Sequence, residues 1–190
     1  MAWQDPQEIR IAASGEVYVA PVGTTLPTDP TTALPSEWVG LGLITTDGAS
    51  LAVAPEIQDI MSWQSRQAVR RELINQEVTA TFALQQWNEE TIPLAFGGGE
   101  VTNPSGSVFR YELPTSGALD ERAMVIDAID GDVHQRWILP RGNVTDAVEV
   151  SMVRDAEQQL PIAFKALQPD DGGTSLIYLS DDAAAFAAGS

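Results

Sequence analysis

Residues 77–85 follow a period of two, in which the positions between the apolar residues hold Thr79, Thr81, Ala83 and Gln85. Four apolar residues occupy every second position, namely Val78, Ala80, Phe82 and Leu84. Successive side chains of a β-strand point to opposite faces of a sheet, so this period of two predicts a strand with one face on a core. The chain must therefore fold around a sheet whose other face meets polar surroundings.

Further short apolar segments, separated by turn-forming residues, predict additional strands. They are residues 16–20, 38–44, 51–53, 108–113, 122–129, 133–139, 144–154, 160–167 and 176–179. Residues 23–37 contain three prolines among Thr and Asp, which predicts a long loop. Residues 130–132, with the sequence Asp-Gly-Asp, predict a tight hairpin turn.

One segment favours a helix. Asn88 can cap its start, Glu89 and Glu90 suit its first turn, and the helix would run to about Phe96. The three glycines at 97–99 would end it. Many strands and a single helix predict a mainly β fold, an antiparallel β-sandwich or barrel with one flanking α-helix.

The segment 55–71 fits two structures. It could form a helix or the long arms of a hairpin, and we favour the extended form. It contains three of the ten basic residues of the chain, together with Trp63.

The charge and composition exclude several function classes. The chain has 27 acidic and 10 basic residues, and 44% of its residues are hydrophobic. That apolar content is enough for a folded core, so the acidity does not indicate disorder. Specific binding of duplex DNA needs clustered Lys and Arg and is not expected. The absence of Cys excludes disulfides, thiol nucleophiles and Cys-ligated zinc.

Catalytic constellations are equally scarce. His134 is the single histidine, and no nucleophile elbow accompanies it. Asp127, Asp130 and Asp132 depart from calcium-loop spacing and fit a hairpin turn better. The glycines at 97–99 lack the Lys of a phosphate loop. We therefore expect no enzymatic activity, no cofactor and no metal.

The five tryptophans divide into two groups. Trp38, Trp87 and Trp137 lie in or just after apolar strands and are expected in the core. Trp3 and Trp63 lie in polar segments and are candidate interface anchors. A tryptophan platform for sugars stays open as an alternative.

Several segments in order resemble the major tail proteins of long-tailed bacteriophages. They are GEVYVAPVGT at 15–24, WVGLGLITTDG at 38–48, WNEET at 87–91, ERAMVID at 121–127, LPRGNV at 139–144 and LPIAFKAL at 160–167. The resemblance covers roughly residues 14–168 and rests on the order and spacing of these segments together. It divides the chain into an N-terminal arm (1–13), a tail-tube β-sandwich domain (14–168) and a C-terminal extension (169–190).

The resemblance implies a structural virion protein that self-assembles into stacked hexameric rings. Such rings form a tail tube through which DNA passes into the host without specific binding. Expected partners are other copies of the chain and tail proteins such as the tape measure and the terminator. The implied location is the virion tail, after assembly in the host cytoplasm, and no membrane is involved.

Two residue sets follow from combining the resemblance with the sequence pattern. The candidate inter-ring loop contains Trp63, Arg66, Arg70 and Arg71. The candidate lumen-facing residues are Glu77, Thr79, Thr81, Gln85, Glu149 and Ser151. The alternatives are a monomeric β-sandwich module that binds a ligand such as a carbohydrate and, less favoured, an acidic hydrolase.

Overall fold

The computed structural model describes residues 9–115, 117 and 119–186. Strands dominate, as the sequence predicts. The ten strands are β1 (Ser14–Pro21), β2 (Val39–Gly40), β3 (Ser50–Ser62), β4 (Ser65–Leu84), β5 (Val101–Thr102), β6 (Arg110–Tyr111), β7 (Glu121–Asp130), β8 (Val133–Val144), β9 (Leu160–Ala166) and β10 (Ile177–Ser180). The two helices are α1 (Thr91–Ala95) and α2 (Ala183–Phe186).

Eight strands form one antiparallel sheet. Its order is β2-β1-β7-β8-β9-β4-β3, and β10 also pairs with β8. The end of β8 pairs with β9 through Gly142, Asn143 and Val144, whereas its earlier part pairs with β10. A β-carbon at Gly142 would lie 2.4 Å from the Phe164 ring, so a glycine is needed where β8 and β9 meet. Strands β5 and β6 form a separate pair.

The sheet folds over itself around one main core. Val17 of β1 and Met124 of β7 share a buried cluster with Phe82 of β4 and Phe164 of β9. The segment 41–45 joins the two halves, because Leu41 N–H donates to Val17 and Thr45 N–H donates to the Ala83 carbonyl. This arrangement confirms the predicted mainly β, sandwich-like fold.

The outer side of β1, β7 and β8 is covered as well. A second cluster contains Trp38, Val125 and Ile138, with Leu26 and Leu34 of the long loop packed against it. The predicted loop between β1 and β2 therefore closes over the sheet. Burial on both faces explains why β7 has a continuous apolar run instead of alternation.

Arg136 holds that loop in place. Its guanidinium donates to both carboxylate oxygens of Asp127, on the neighbouring strand, at 2.7 Å each. The same group donates to the carbonyls of Asp29 and Thr32 in the loop, at 2.9 Å and 3.0 Å. Its side chain is only 4% exposed, so this ion pair is a buried structural contact.

The predicted helix is present but spans little more than one turn. The Asn88 carboxamide oxygen accepts hydrogen bonds from the N–H groups of Glu90 and Thr91 in the turn that leads into the helix. The helix itself begins at Thr91, so Glu90 occupies the N-cap position and the predicted first-turn role of Glu89 and Glu90 is wrong. Gly97, Gly98 and Gly99 all have positive φ, at 78°, 122° and 99°, so they end the helix as predicted.

Four further sequence predictions need correction. The strand expected at 144–154 is wrong, because β8 ends at Val144 and residues 145–159 have no strand partner. The strands expected at 38–44 and 108–113 shrink to two residues each. Trp87 is not in the core: it is 39% exposed, and its indole N–H donates to the Gln158 carbonyl.

The two ends of the described chain meet at the β7–β8 turn. Asp182 is buried and accepts a hydrogen bond from Arg10 at 2.6 Å. The carboxylate of Asp181 accepts from the His134 backbone N–H at 2.7 Å and lies 3.1 Å from its imidazole. Strand β10 lies inside the predicted C-terminal extension, and the division into arm, domain and extension stays a prediction.

Candidate functional site

A two-stranded ribbon projects from the body of the molecule. Strand β9 pairs only with residues 79–84 of β4, so beyond them β3 and β4 have only each other. We call residues 54–77 the ribbon. Its shorter arm, residues 54–62 of β3, is about 30 Å long at the usual rise of ~3.3 Å per strand residue. This hairpin confirms the extended interpretation of residues 55–71.

One face of the ribbon is apolar. The register pairs Val53 with Val78 and Ile57 with Leu73, and paired residues lie on the same face. A bulge places Ile74 as an extra residue between these pairs. Counting by simple alternation from Val78, Leu73 and Val69 would lie on the opposite face of β4. The extra residue at the bulge shifts the alternation by one, so Leu73 and Val69 lie on the same face as Val78, which is the face that packs on the core in the body of the molecule.

We call this surface the ribbon's apolar face. Four large apolar side chains belong to it, each 53–58% exposed, namely Ile57, Met61, Val69 and Leu73. Exposed Val53 continues the face at the base of the ribbon, and exposed Ile74 lies at the bulge. An ion pair between Arg71 and Asp59, at 2.7 Å, lies in the middle of the same face. The Arg71 guanidinium lowers the pKa of Asp59 by hydrogen bonding to it. The opposite face is mainly polar, with the pairs Glu56–Asn75 and Gln58–Glu72.

The ribbon tip carries the predicted inter-ring residues. Trp63 lies in the turn between the strands and is 100% exposed. Arg70 contacts Glu72 at 3.8 Å, while Arg66 has no ion pair among the residues that the structure describes. The structure thus brings Trp63, Arg66, Arg70 and Arg71 together on the distal half of the ribbon.

Three of the predicted lumen-facing residues share a surface. Glu77, Thr79 and Thr81 occupy alternate positions of β4, on the side opposite the core. Their register partners on that side are small or charged: Ala54, Ala52, Ser50, Lys165 and Ala163. We call these eight residues the outward face. It is smooth because most of its side chains are Ala, Ser or Thr.

The single lysine lies on the outward face between two acids. Lys165 Nζ is 3.1 Å from Asp146 and 3.8 Å from Glu77. Hydrogen bonding to Asp146 raises the pKa of Lys165. The charges on this face therefore largely compensate one another, and the surface is less acidic than the chain as a whole.

The other three predicted lumen residues lie elsewhere. Gln85 follows the end of β4, and its amide donates to Glu157 at 3.2 Å. Glu149 and Ser151 are exposed in the segment between β8 and β9, which has no strand. The strand alternation used to select these two residues is absent there.

Trp63 and the arginines were predicted from the sequence as interface residues, but the apolar face of the ribbon was not. A signal was present, since Ile57, Leu73 and Ile74 are large apolar residues in a charged segment. Their placement on one surface depends on the bulge, which a simple alternation rule does not anticipate.

The described part of the chain contains no group of three or more His, Asp or Glu residues that could hold a metal ion. His134 contacts Asp181 at the β7–β8 turn, a pair that also fastens the chain end. Among the described residues, no helix has the length and apolarity needed to cross a membrane.

No match was found among curated proteins. The family model described as phage tail tube protein matches residues 1–189, which is nearly the entire chain. The chain therefore belongs to the phage tail tube protein family, and it is a structural protein of the virion tail.

Proposed function

We propose that copies of this chain close into rings, which the resemblance implies are hexameric, and that the rings stack into a tube that conducts DNA into the host. Assembly takes place in the host cytoplasm, with tail proteins such as the tape measure and the terminator defining tube length and end. The ribbon makes the contact between successive rings. The apolar face of the ribbon is the observation that carries this proposal.

That face is difficult to explain in an isolated molecule. Single exposed apolar residues are common, but several large apolar side chains on one face of a narrow ribbon mark an interaction surface. A two-stranded ribbon is also at best marginally stable alone in water. A second copy of the chain is a suitable partner for this face. Each copy that joins supplies a body that can cover the ribbon of its neighbour, and a ribbon that a further copy can cover.

The sheet also leaves an edge available for ring closure. Strand order ends at β3, so one side of this 13-residue strand has no partner within the described residues. Exposed edges promote uncontrolled pairing unless they are blocked or closed. Pro55 interrupts the donors along β3, and pairing of the remaining edge with a neighbour in the ring would remove the exposed edge.

The outward face suits a wall along which DNA slides. Its side chains are mostly small and uncharged, and Lys165 is held between two acids. Eight of the ten basic side chains in the chain form ion pairs with acids inside the same molecule. Little free positive charge is left to attract phosphates, so adhesion to passing DNA would be weak.

Charge reversal at the ribbon tip tests the inter-ring role. The stretch 60–71 contains three arginines and no acid in a chain of net charge −17, so an adjoining copy should attract it. A variant with Arg66, Arg70 and Arg71 changed to Glu should stay folded but stop tube growth at rings or monomers. Negative-stain electron microscopy reads the outcome, and tubes of wild-type length would reject this role for the tip.

A further inference from the structure

A shallow apolar groove lies at the end of α1. Its volume is about 400 Å³, and we call it the α1 groove. A second groove, of about 450 Å³, lies beside the outward face. The larger apolar lining residues of the α1 groove are Phe96, Leu113, Pro114, Leu119 and Val148. Leu113 and Leu119 are 63% and 56% exposed, so the groove presents leucine side chains directly to the surroundings.

We propose that the α1 groove receives Trp63 from the ribbon tip of a second copy. This rests on the proposed function, because it needs copies that associate. Within its own chain the Trp63 side chain is fully exposed, so it does not occupy this groove. Tryptophan is the side chain most often found as a dominant anchor in apolar pockets of interfaces, and it buries roughly 150–250 Å².

Size and chemistry both favour this pairing. A groove of about 400 Å³ has room for an indole ring together with its neighbouring backbone. Its lining is mainly apolar and includes one aromatic ring, Phe96. The groove beside the outward face also has apolar lining residues, but its Phe82 and Ile162 are already buried in the core. Leu113 and Leu119 of the α1 groove are exposed, so this groove offers more leucine surface for an indole to cover.

The charges around the two surfaces are complementary. Asp146 lines the α1 groove but is paired with Lys165, and Glu112 and Asp120 nearby in sequence are paired with Arg110 and Arg122. Glu100 and Glu149 flank the groove residues in sequence and have no ion pair among the described residues, so they can attract a cation from a second copy. The tip on either side of Trp63 carries arginines and no acid between residues 60 and 71. Arg66, three residues from Trp63, has no ion pair among the described residues and is available for an acid of the second copy. Aromatic and Arg residues together are typical interface anchors.

Site-specific crosslinking tests the contact, because the chain contains no native cysteine. One population carries Gln64→Cys beside Trp63, and the other carries Leu119→Cys in the groove. After mixing and assembly, a short bis-maleimide should join them into a covalent dimer. A matched control replaces Leu119→Cys by Asp132→Cys at the far β7–β8 turn, roughly 30 Å along the strands, and should give no such dimer.

Substitution of the anchor supplies a second readout. Trp63→Ala should raise the protein concentration needed for assembly on the order of 30-fold, as expected for a hot-spot residue. Trp63→Phe keeps an aromatic ring and should retain assembly within a few-fold of wild type. Because Trp63 contacts no core residue, both variants should unfold at the wild-type temperature.

The outcomes separate this inference from the proposed function. Tubes that form without crosslinking above the Asp132→Cys control, or that tolerate Trp63→Ala, overturn the groove contact and leave the tube intact. If Leu119→Cys itself prevents assembly, Leu113→Cys replaces it at the same groove. A wild-type chain that stays monomeric at every concentration overturns both proposals.

Discussion

Strand β7 and the distal part of β4 contain similar apolar residues and use them differently. In β7, Ala123, Met124, Val125 and Ile126 are 0–8% exposed, because the core covers one face and the 22–38 loop region covers the other. In the ribbon, Leu73 and Ile74 are more than half exposed. The comparison indicates that β7 uses its apolar residues to stabilise the fold, whereas the ribbon leaves them uncovered by the described part of its own chain.

The largest effect on stability is expected where the loop is fastened over β7. Arg136→Ala leaves the half-buried Asp127 carboxylate without its partner and two loop carbonyls without a donor. Breaking a buried pair in this way costs about 3–5 kcal/mol. Urea unfolding of the monomer measures it. Arg66→Ala on the ribbon is the matched control and should change stability by less than ~0.5 kcal/mol; equal losses would contradict the comparison.

Two methionines allow the buried strand β7 and the exposed ribbon to be compared with the same residue type. Met124 of β7 is fully buried, and Met61 of the ribbon is 57% exposed. Met124→Ala should destabilise the monomer by about 2–5 kcal/mol through lost burial and a cavity. Met61→Ala should change the monomer by less than ~0.5 kcal/mol. A marked loss of monomer stability from Met61→Ala would mean that the ribbon packs within its own chain.

A carboxylate on the apolar face should affect assembly and not folding. Leu73→Asp places a charge where a neighbouring copy would bury it, which should weaken association by more than ~2 kcal/mol. The melting temperature of the monomer should stay within a degree or two of wild type. Sedimentation velocity measures assembly, with Gln58→Asp on the polar face as control. Normal tube formation by Leu73→Asp would show that this face is not an interface.

The smallest effect is a pH dependence in the loop that covers β7. Hydrogen bonds from the backbone N–H groups of Thr32 and Thr31 lower the pKa of Asp29 to about 2. A lowered folded-state pKa gives stability that is present above the unfolded pKa of about 3.9 and lost as pH falls to about 2.

Comparing Asp29→Ala with wild type isolates that contribution. The wild-type protein should melt at the higher temperature at pH 7, and the difference should vanish near pH 2. Asp29→Asn keeps an oxygen acceptor but cannot titrate, so its melting temperature should fall less steeply with acid than that of wild type. A difference between wild type and Asp29→Ala that persists unchanged at pH 2 would exclude the carboxylate as its source.

The sequence predicted the parts of the fold that depend on local pattern. Alternation at 77–85, the glycines at 97–99 and the turn at 130–132 all have local physical causes, and the structure confirms them. The predicted strand at 144–154 failed for a non-local reason. Its Val148 and Val150 alternate with polar residues, but no strand of the sheet lies beside them.

The candidate site also depends in part on structure that local sequence pattern does not predict. The arginines and Trp63 stood out because charge and aromatic residues are visible in a sequence. The apolar face did not, because the bulge at Ile74 shifts the alternation of β4 by one residue. An exposed apolar face has the same residue types as a core strand. What distinguishes the ribbon is that no element among the described residues covers it.

A cryo-electron microscopy map of tubes grown from the wild-type chain tests the central claim most directly. The account predicts that a neighbouring copy covers Ile57, Leu73 and Trp63 and that the outward face around Thr79 lines the channel. A tube in which the ribbon lies free in solvent, or a preparation that never assembles, would contradict it.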